Sequence, residues 1–394
     1  MVKYKDTLIN FQILLVFLIP ITPHISISTN IELDDIPVIL FLIIFIINIY
    51  FKNFKQINYN QLIPICVFTF YIFAQNIVIN NEFIFSDGLR YVFYTALYIS
   101  LLSQNNLNKF DNLFRYLTLF LNIFSIIFFF LQLDFGTDSY NYWKMGFNEN
   151  QWVFTDGRMN GFQAGGPNAF GGLIAALNLY CISNSNQVYK RIFIITGILG
   201  CFFTYSRAAM IVLLTLLTVY LILSKNIADV FLVALTIIFA INFGLLDRFT
   251  SEVETEGIQD RVAMQQATIS DISTRGLANN LFGYGHNNYG IVRSEIQENT
   301  KFSSELRPTG PHNSFLFIIL DYGFFGLLFF IFIFIKPVKF FFTDIKSNII
   351  NKDFLFLGSF VALSLTGDFI QNHSISILFF LVFFKLKISI QNEQ

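Results

Sequence analysis

Twelve long apolar stretches, separated by polar turns, divide this sequence of 394 residues. Hydrophobic residues make up 54% of the chain and charged residues only 13%, about half of the charge that a soluble domain carries. Each stretch approaches or exceeds the roughly 20 residues that a helix needs to cross a bilayer. Because backbone polar groups in lipid need internal partners, such stretches fold as helices. The sequence therefore predicts an all-α polytopic integral membrane protein with about 12 transmembrane helices.

The expected spans lie near residues 7–28, 36–51, 61–79, 83–102, 113–133, 168–183, 190–205, 207–224, 227–246, 314–335, 354–370 and 374–388. Two long segments, 134–167 and 247–313, divide the chain into residues 1–133 with spans one to five, 168–246 with spans six to nine, and 314–394 with the last three. A segment as long as 247–313 is usually functional or disordered. Interleaved apolar residues over 262–272 predict an amphipathic helix, so we expect a long, partly helical loop before the tenth span.

The positive charges indicate which side of the membrane each turn faces. If the N-terminus is cytoplasmic, the inner segments hold thirteen lysines and one arginine, whereas the outer segments and embedded positions hold eight arginines and two lysines. This pattern satisfies the positive-inside rule and places both termini in the cytoplasm. The outer arginines need another explanation, because a guanidinium group binds phosphate or carboxylate bidentately and an ammonium group does not.

A histidine stands where the long outer loop re-enters the membrane, in the segment Gly310-Pro311-His312-Asn313-Ser314. Asn313 or Ser314 suits the N-cap of the tenth span, whose first amides then point outward and can bind an anion. A near-neutral imidazole at this position can take a proton from a hydroxyl group. The competing interpretation is an interfacial histidine that only hydrogen-bonds a lipid headgroup.

Two further motifs are expected at the outer face. Asn168 lies in the glycine-rich segment 161–172, which opens the sixth span and allows another backbone to approach closely. Arg207 ends the turn Thr204-Tyr205-Ser206-Arg207, which joins spans seven and eight almost without a loop. An arginine so close to lipid needs an anionic partner, unless it extends to the headgroups.

In their order along the chain, the motifs resemble those of the O-antigen ligase and polymerase superfamily of bacterial membrane proteins. The series comprises a Gly-Pro-Asn segment, the Thr-x-Ser-Arg turn, a loop helix opened by Arg261, the Phe-Gly-x-Gly turn at 282–285, and His-Asn-Ser followed by Gly-x-x-Gly at 323–326. It covers residues 161–326 and leaves the first five spans without a matched motif.

The resemblance implies an inverting, metal-independent glycosyl transfer at the periplasmic face of the bacterial inner membrane. The donor is a glycan on undecaprenyl pyrophosphate. The acceptor hydroxyl belongs to another lipid-linked repeat in a polymerase, or to lipid A-core in a ligase. Carried over by position, His312 is the catalytic base, and Arg207 and Arg261 bind the pyrophosphate, whose charge rises as the glycosidic bond breaks. Asn168 and Asn313 are expected to bind substrate.

Four more residues are candidates for substrate binding. Arg90 lies within the fourth span, three residues after Asp87, and this pair either binds substrate or forms a structural salt bridge. Arg293 and Arg307 lie in the large outer loop, where we expect contacts with glycan or phosphate. Asp368 either orients one of the arginines or is a helix-end carboxylate that faces water.

The leading functional hypothesis is a polymerase, and the alternative is a ligase. A lipid-linked glycan flippase or transporter is a less favoured hypothesis, because only the fourth span holds an embedded charged pair. The expected partners are the undecaprenyl-pyrophosphate-linked oligosaccharide and the bilayer, with a chain-length regulator and a flippase as further candidates. We expect no cofactor, no metal, since His, Cys and carboxylate groups lack ligand spacing, and no nucleic acid, since no basic stripe is present.

Overall fold

The computed structural model describes residues 2–23, 26–28, 31–54, 59–80, 85–104, 107–131, 142–143, 158–159, 162, 166–242, 252–285, 296, 310–367, 369–370 and 372–393. Its helices are α1 (Val2–Leu18), α2 (Asp35–Tyr50), α3 (Tyr59–Asn80), α4 (Phe85–Leu102), α5 (Asp111–Leu131), α6 (Gly166–Ser183), α7 (Gln187–Phe203), α8 (Arg207–Leu223), α9 (Ile227–Asn242), α10 (Glu252–Thr274), α11 (Leu277–Phe282), α12 (Ser314–Thr343), α13 (Ile345–Asn348), α14 (Lys352–Ser364) and α15 (His373–Glu393). The expected all-α class is confirmed for the described part of the chain.

Short β ladders interrupt the helical architecture at two places. They are β1 (Ser26–Ser28) with β2 (Ile31–Glu32), and β3 (Tyr142–Trp143) with β4 (Arg158–Met159). The first ladder corrects the expectation of one continuous span over 7–28. Helix α1 ends at Leu18, and a short 3-10 turn containing Pro20 follows it. Proline has no N–H to donate and clashes with the preceding turn, so the α-helix stops there although the apolar sequence continues.

Three of the described helices are long and apolar enough to cross a membrane. They comprise Leu62–Ile79 of α3, Leu107–Leu131 around α5, and Ser314–Thr343, which is α12. On α3, Phe70 is 74% exposed and Val78 is 76% exposed. A row of such side chains is stable against lipid, whereas in water it would be a large exposed apolar patch. The outer sides of these helices therefore fit a bilayer.

Helix α6 is enclosed by its neighbours. Every residue from Ala169 to Ile182 is buried, and α5, α7, α8 and α14 pack around the helix. Within this core the side-chain amides of Asn122 on α5 and Asn178 on α6 bond to each other reciprocally, at 2.9 and 3.0 Å. Gly197 on α7 leaves the space that the Asn178 side chain fills. The polar pair is satisfied inside the core and fixes how these helices align.

Helix α10 confirms that the long loop is partly helical, but two details of the expectation were wrong. Arg261 lies near the middle of α10 and does not open it. The buried face consists of Asp260, Met264 and Thr268, spaced four residues apart, whereas Val262 is 46% exposed and Ile269 is 55% exposed. The apolar residues thus select the packed face only in part. Met264 fits against Leu320 of α12, and together with Ile296 they form a small separate core, against which Ala267 and Ile272 also pack.

Helix α12 is broken at Gly323, whose φ of 67° and ψ of −171° are not helical. Gly283, with a φ of 78°, lies directly against this break. A Cβ atom on Gly283 would come within 2.3 Å of the Asp321 carbonyl oxygen, and one on Gly323 within 2.3 Å of the Leu281 carbonyl oxygen. The two backbones therefore touch without room for a side chain. The Phe-Gly-x-Gly and Gly-x-x-Gly motifs form one interlocked unit.

The glycine turn supplies hydrogen-bond donors to the broken helix. The backbone N–H of Tyr284 donates to the Leu320 carbonyl at 2.7 Å, and that of Gly285 donates to the Asp321 carbonyl at 3.0 Å. An unsatisfied carbonyl in an apolar environment would cost several kcal/mol. The turn therefore stabilises a break that lipid surroundings would otherwise disfavour.

Helix α3 provides further donors from its side chains. The Gln75 amide donates to the Asp321 carbonyl at 2.6 Å and also to the Phe282 carbonyl. The Tyr71 hydroxyl donates to the Tyr322 carbonyl at 2.6 Å. Gln75 thus joins three elements, because it binds the glycine turn and the broken helix at once. The first half of α12 is fixed from two sides.

Four charged side chains form a buried network where α6 ends. Lys385 is 2% exposed, and its Nζ lies 3.1 Å from Asp111 and 3.2 Å from Asp353. Lys352 also pairs with Asp111. The Tyr180 hydroxyl donates to Asp111 at 2.6 Å and lies 2.7 Å from Lys385 Nζ, from which it accepts. Lysines that the sequence indicated only as topology signals therefore also bind the ends of α5, α6, α14 and α15 together.

The interlocked glycines generate a stability prediction. Gly283→Ala and Gly323→Ala should each destabilise the protein by about 2 kcal/mol or more, because both positions have a positive φ and no space for a Cβ. Gly276→Ala and Gly358→Ala are the matched controls, since a Cβ there meets nothing within 4 Å. Thermal unfolding in detergent measures the effect. Equal melting temperatures for Gly323→Ala and Gly358→Ala would contradict the interlock.

Candidate functional site

The segment before α12 is fixed by a helix cap and an unusual backbone. The Asn313 side chain accepts from the backbone N–H groups of Phe315 at 3.0 Å and Leu316 at 3.2 Å, which confirms Asn313 as the N-cap. His312 has a φ of 44°, in the left-handed region that few side chains adopt. Strained conformations of this kind persist where the surrounding structure holds them, and they concentrate at functional sites. The cap holds the backbone directly after His312.

The turn after α14 binds the start of α12. The Ser314 hydroxyl donates to the Gly367 carbonyl at 3.0 Å and accepts from the Ile370 N–H at 3.2 Å. The Asn313 amide donates to the Leu365 carbonyl at 3.3 Å. Ser314 therefore does not cap the helix. Its side chain joins residues 312–314 to the turn at 365–370.

The start of α6 lies between that turn and the turn that carries Arg207. A Cβ on Gly171 would come within 2.5 Å of the Thr204 Oγ1, and one on Gly172 within 2.1 Å of the Phe369 ring. Asn168 is one turn earlier on the same helix, so it lies on the face that these glycines share. A series of described contacts therefore connects the Arg207 turn to α6, α6 to Phe369, and the turn that contains Phe369 to the segment of His312 and Ser314.

The Arg207 turn has its own tight geometry. Tyr205 has a φ of 49°, and Ser206 caps α8 by accepting from the Ala209 N–H at 3.4 Å. Thr204 donates its hydroxyl to the Cys201 carbonyl at 2.7 Å, and both Thr204 and Ser206 are fully buried. Arg207 is partly buried and occupies the first position of α8. The turn thus fixes the backbone from which the Arg207 side chain extends.

Arg261 on α10 lies close enough to His312 for its charge to act on the imidazole. Burial, together with the positive charge of Arg261, lowers the pKa of His312 from 6.5 to about 4. The imidazole is therefore neutral at physiological pH and can accept a proton. The structure brings a cationic side chain and a neutral imidazole together, although they lie far apart in the sequence.

The remaining candidates fall elsewhere or outside the described residues. Arg90 lies on α4, where its charge acts on Tyr94, and the Tyr94 hydroxyl is 2.8 Å from the Ser376 Oγ at the start of α15. Arg293, Arg307 and Asp368 lie outside the described residues, as does the Asp87 side chain expected to pair with Arg90. Their proposed contacts stay predictions.

Sequence reasoning missed the residues that hold the candidate segments in place. Gln75 and Tyr71 bind the broken helix, and Arg275 donates to the Ile319 carbonyl at 3.1 Å and lies over the Tyr284 ring. Gln75 could have been recognised in the sequence, because a glutamine side chain within an apolar span forms hydrogen bonds between helices. The aromatic contact of Phe369 with α6 has no comparable signal in the sequence.

A mostly apolar cavity of about 550 Å³ lies where α3 meets α11. Tyr71, Gln75, Val78, Phe282 and Tyr284 are among the residues that line it. Among the described residues that line it, none is one that the sequence indicated for catalysis or substrate binding. The cavity borders the glycine interlock, so it lies beside a structural unit of the fold.

The apolar helices and their exposed outer faces indicate a membrane protein. Residues 192–331 match the family model described as O-antigen ligase. The match confirms the resemblance to the O-antigen ligase and polymerase superfamily, whose members are glycosyltransferase-like enzymes. The matched segment contains Arg207, Arg261 and His312, together with both interlocked glycines. No curated protein and no solved structure matches the chain.

The charge of Arg261 should be measurable in the titration of His312. In protein with ¹⁵N-labelled histidine, His312 should titrate near pH 4, and Arg261→Gln should raise its pKa toward 6.5, because a repelling charge is removed. Arg261→Lys retains the charge and should keep the pKa low. The chain has four histidines, so a His312→Asn spectrum assigns the signal. A wild-type pKa near 6.5, or no rise in the Gln variant, would refute the pairing.

Proposed function

We propose that this protein is an O-antigen or capsular polysaccharide polymerase that joins undecaprenyl-pyrophosphate-linked repeat units. The reaction takes place at the periplasmic face of the bacterial inner membrane. The chain crosses this membrane about 12 times, and both termini lie in the cytoplasm. The observation that carries this proposal is the neutral His312 beside Arg261, within the segment that matches the O-antigen ligase family. The family match supports glycosyl transfer in general, and the choice of polymerase is ours.

The proposed reaction is an inverting displacement that needs no metal ion. The acceptor hydroxyl oxygen bonds to the anomeric carbon as the bond from that carbon to the pyrophosphate oxygen breaks. The hydroxyl proton passes to His312, and the electron pair of the broken bond leaves with the undecaprenyl pyrophosphate. A base contributes about 10²- to 10⁴-fold to such a step. The lengthened glycan remains on the lipid of the acceptor.

The arginines act on the leaving group in this proposal. Negative charge on the pyrophosphate increases as the bond breaks, so guanidinium groups of Arg207 and Arg261 stabilise the transition state more than the bound donor. A bound pyrophosphate also offsets the charge of Arg261. The pKa of His312 then rises toward its ordinary value, and His312 becomes a stronger base once the donor is bound. Asn168 and Asn313 contact the sugar or phosphate oxygens, and Arg90, Arg293, Arg307 and Asp368 are further candidates.

A ligase is the second candidate, because the matching family model carries that description. The donor, the base and the arginines have the same roles in both reactions. The difference is the acceptor, which in a ligase is lipid A-core. A chain-length regulator and a flippase are proposed partners of the polymerase, since repeat units must reach the outer face before they are joined.

Loss of the base should be visible in the surface glycan of the cell. In a deletion strain, His312→Asn should fail to restore polymer, because Asn tolerates the left-handed backbone but does not act as a base at neutral pH. Gel analysis of the glycan should then show single repeats for a polymerase, or bare core for a ligase. Immunoblotting of membranes confirms insertion. Wild-type polymer from the inserted variant would remove His312 from the mechanism.

The geometry of the Arg207 side chain should matter as much as its charge. Arg207→Lys should lower turnover about 100-fold or more, nearly as much as Arg207→Ala. The ammonium group of lysine does not replace the two parallel hydrogen bonds of a planar guanidinium group. Arg191→Lys is the matched control, since Arg191 is on α7 and binds Asp229 at 3.2 Å. Polymer yield per inserted protein is the measurement. Near-normal yield from Arg207→Lys would show that charge alone suffices.

A further inference from the structure

The buried ionic network at the end of α6 extends to an arginine through one asparagine. Lys352 donates to the Asn184 side-chain oxygen at 3.2 Å, and Arg115 on α5 donates to the Asn184 carbonyl. Arg115 also donates to the side-chain oxygen of Asn112 at 3.1 Å. Both acceptors of Arg115 are neutral. Among the described residues, the guanidinium group is therefore hydrogen-bonded, but no carboxylate pairs with its charge.

Arg115, Asn184, Lys352 and Lys385 lie at one corner of the helix bundle, where α6 ends. The charges at this corner do not balance. Among the residues that the structure describes, the three cations are Arg115, Lys352 and Lys385, and only two carboxylates, Asp111 and Asp353, pair with the lysines. One positive charge is in excess in a partly buried place. Leaving such a charge without an anion is unfavourable at low dielectric, so the corner is suited to receive one.

Three hydrogen-bond donors at the same corner are unused. Among the residues that the structure describes, Arg115 Nε, Asn184 Nδ2 and Ser185 Oγ are buried and have no hydrogen-bond partner. Asn184 and Ser185 directly precede Asn186, the N-cap of the 17-residue helix α7. The positive end of that helix dipole therefore adds to the excess charge. Several donors around one cation require a ligand with several anionic oxygens, and phosphate is such a ligand.

Exposed apolar side chains continue from this corner along two packed helices. On α5, Tyr116, Phe120, Ile123 and Ile127 are 70%, 46%, 43% and 46% exposed, and they form one stripe that starts next to Arg115. On α7 a second stripe contains Val188, Ile192 and Ile195. A phosphate with acyl chains attached fits this arrangement, because the chains can lie along the stripes while the headgroup binds the donors.

We propose that Arg115, Asn184, Ser185 and Lys352 bind the phosphate of an anionic phospholipid. The site lies at the end of α6 that is remote from Asn168, so it is separate from the proposed reaction and does not depend on it. The bound lipid neutralises the excess charge and connects the ends of α5, α6, α7 and α14. It thereby stabilises the fold from the lysine-rich side.

Purified protein in lipid nanodiscs tests this proposal. Phosphatidylglycerol mixed into phosphatidylcholine nanodiscs should raise the melting temperature of the wild type above its value in phosphatidylcholine alone. Arg115→Gln should weaken the apparent affinity for phosphatidylglycerol about tenfold, which corresponds to one charge-assisted hydrogen bond. Lys225→Gln, which removes an exposed cation from another turn, should leave the affinity unchanged. Native mass spectrometry should show retained phosphatidylglycerol on the wild type and less on Arg115→Gln.

Milder variants keep the test decisive if Arg115→Gln folds poorly. Ser185→Ala removes a donor that has no partner among the described residues, and Arg115→Lys retains the charge but not the planar guanidinium group. Both should weaken phosphatidylglycerol binding, and Ser185→Ala should do so without lowering stability in phosphatidylcholine. Wild-type affinity in both variants would overturn the proposal. Equal stabilisation by inorganic phosphate in phosphatidylcholine nanodiscs would also overturn it, because the ligand would then be free phosphate and not a lipid.

Discussion

The hydrocarbon core of a membrane offers no hydrogen-bond donor to a backbone carbonyl, and this constraint determines the architecture around α12. The helix is broken at Gly323, yet the carbonyls of Leu320, Asp321 and Tyr322 all have donors from the glycine turn or from α3. Without those donors the apolar segment would form one straight helix. With them, its first half is a separate rigid piece, and that piece begins directly after His312. The position of the candidate base therefore depends on hydrogen bonds made about three turns away.

The motifs that indicated the family divide into two physical groups. The glycines at 283 and 323 serve the fold, since each provides the space that the other backbone occupies. The polar residues His312, Arg207 and Arg261 lie in or next to a helix cap, a tight turn and a packed helix, which fix their backbone positions. A sequence comparison weighs both groups alike. The structure separates them, and it explains why two glycine pairs accompany the polar residues along the chain.

Sequence patterns predicted helices and helix caps well where these features depend on residues close together in the sequence. Asn313 as a cap and a helix in the long loop follow from short-range chemistry. The packed face of α10 could be predicted only in part, because it is set by Leu320, a residue more than fifty positions away in the sequence. The break in α12 was also not visible, since a single glycine within a helical pattern is compatible with a continuous helix. The proximity of Arg261 to His312 depends on both of these features.

The enclosure of α6 has a consequence for how the molecule assembles. Almost every side of that helix contacts protein. Its packing is therefore stabilised by neighbouring helices and not by lipid. Membrane insertion can deliver it as a separate segment, but its final place exists only when the surrounding helices have closed around it. The two ends of the helix bundle thus reach their final packing together, because α6 runs between them.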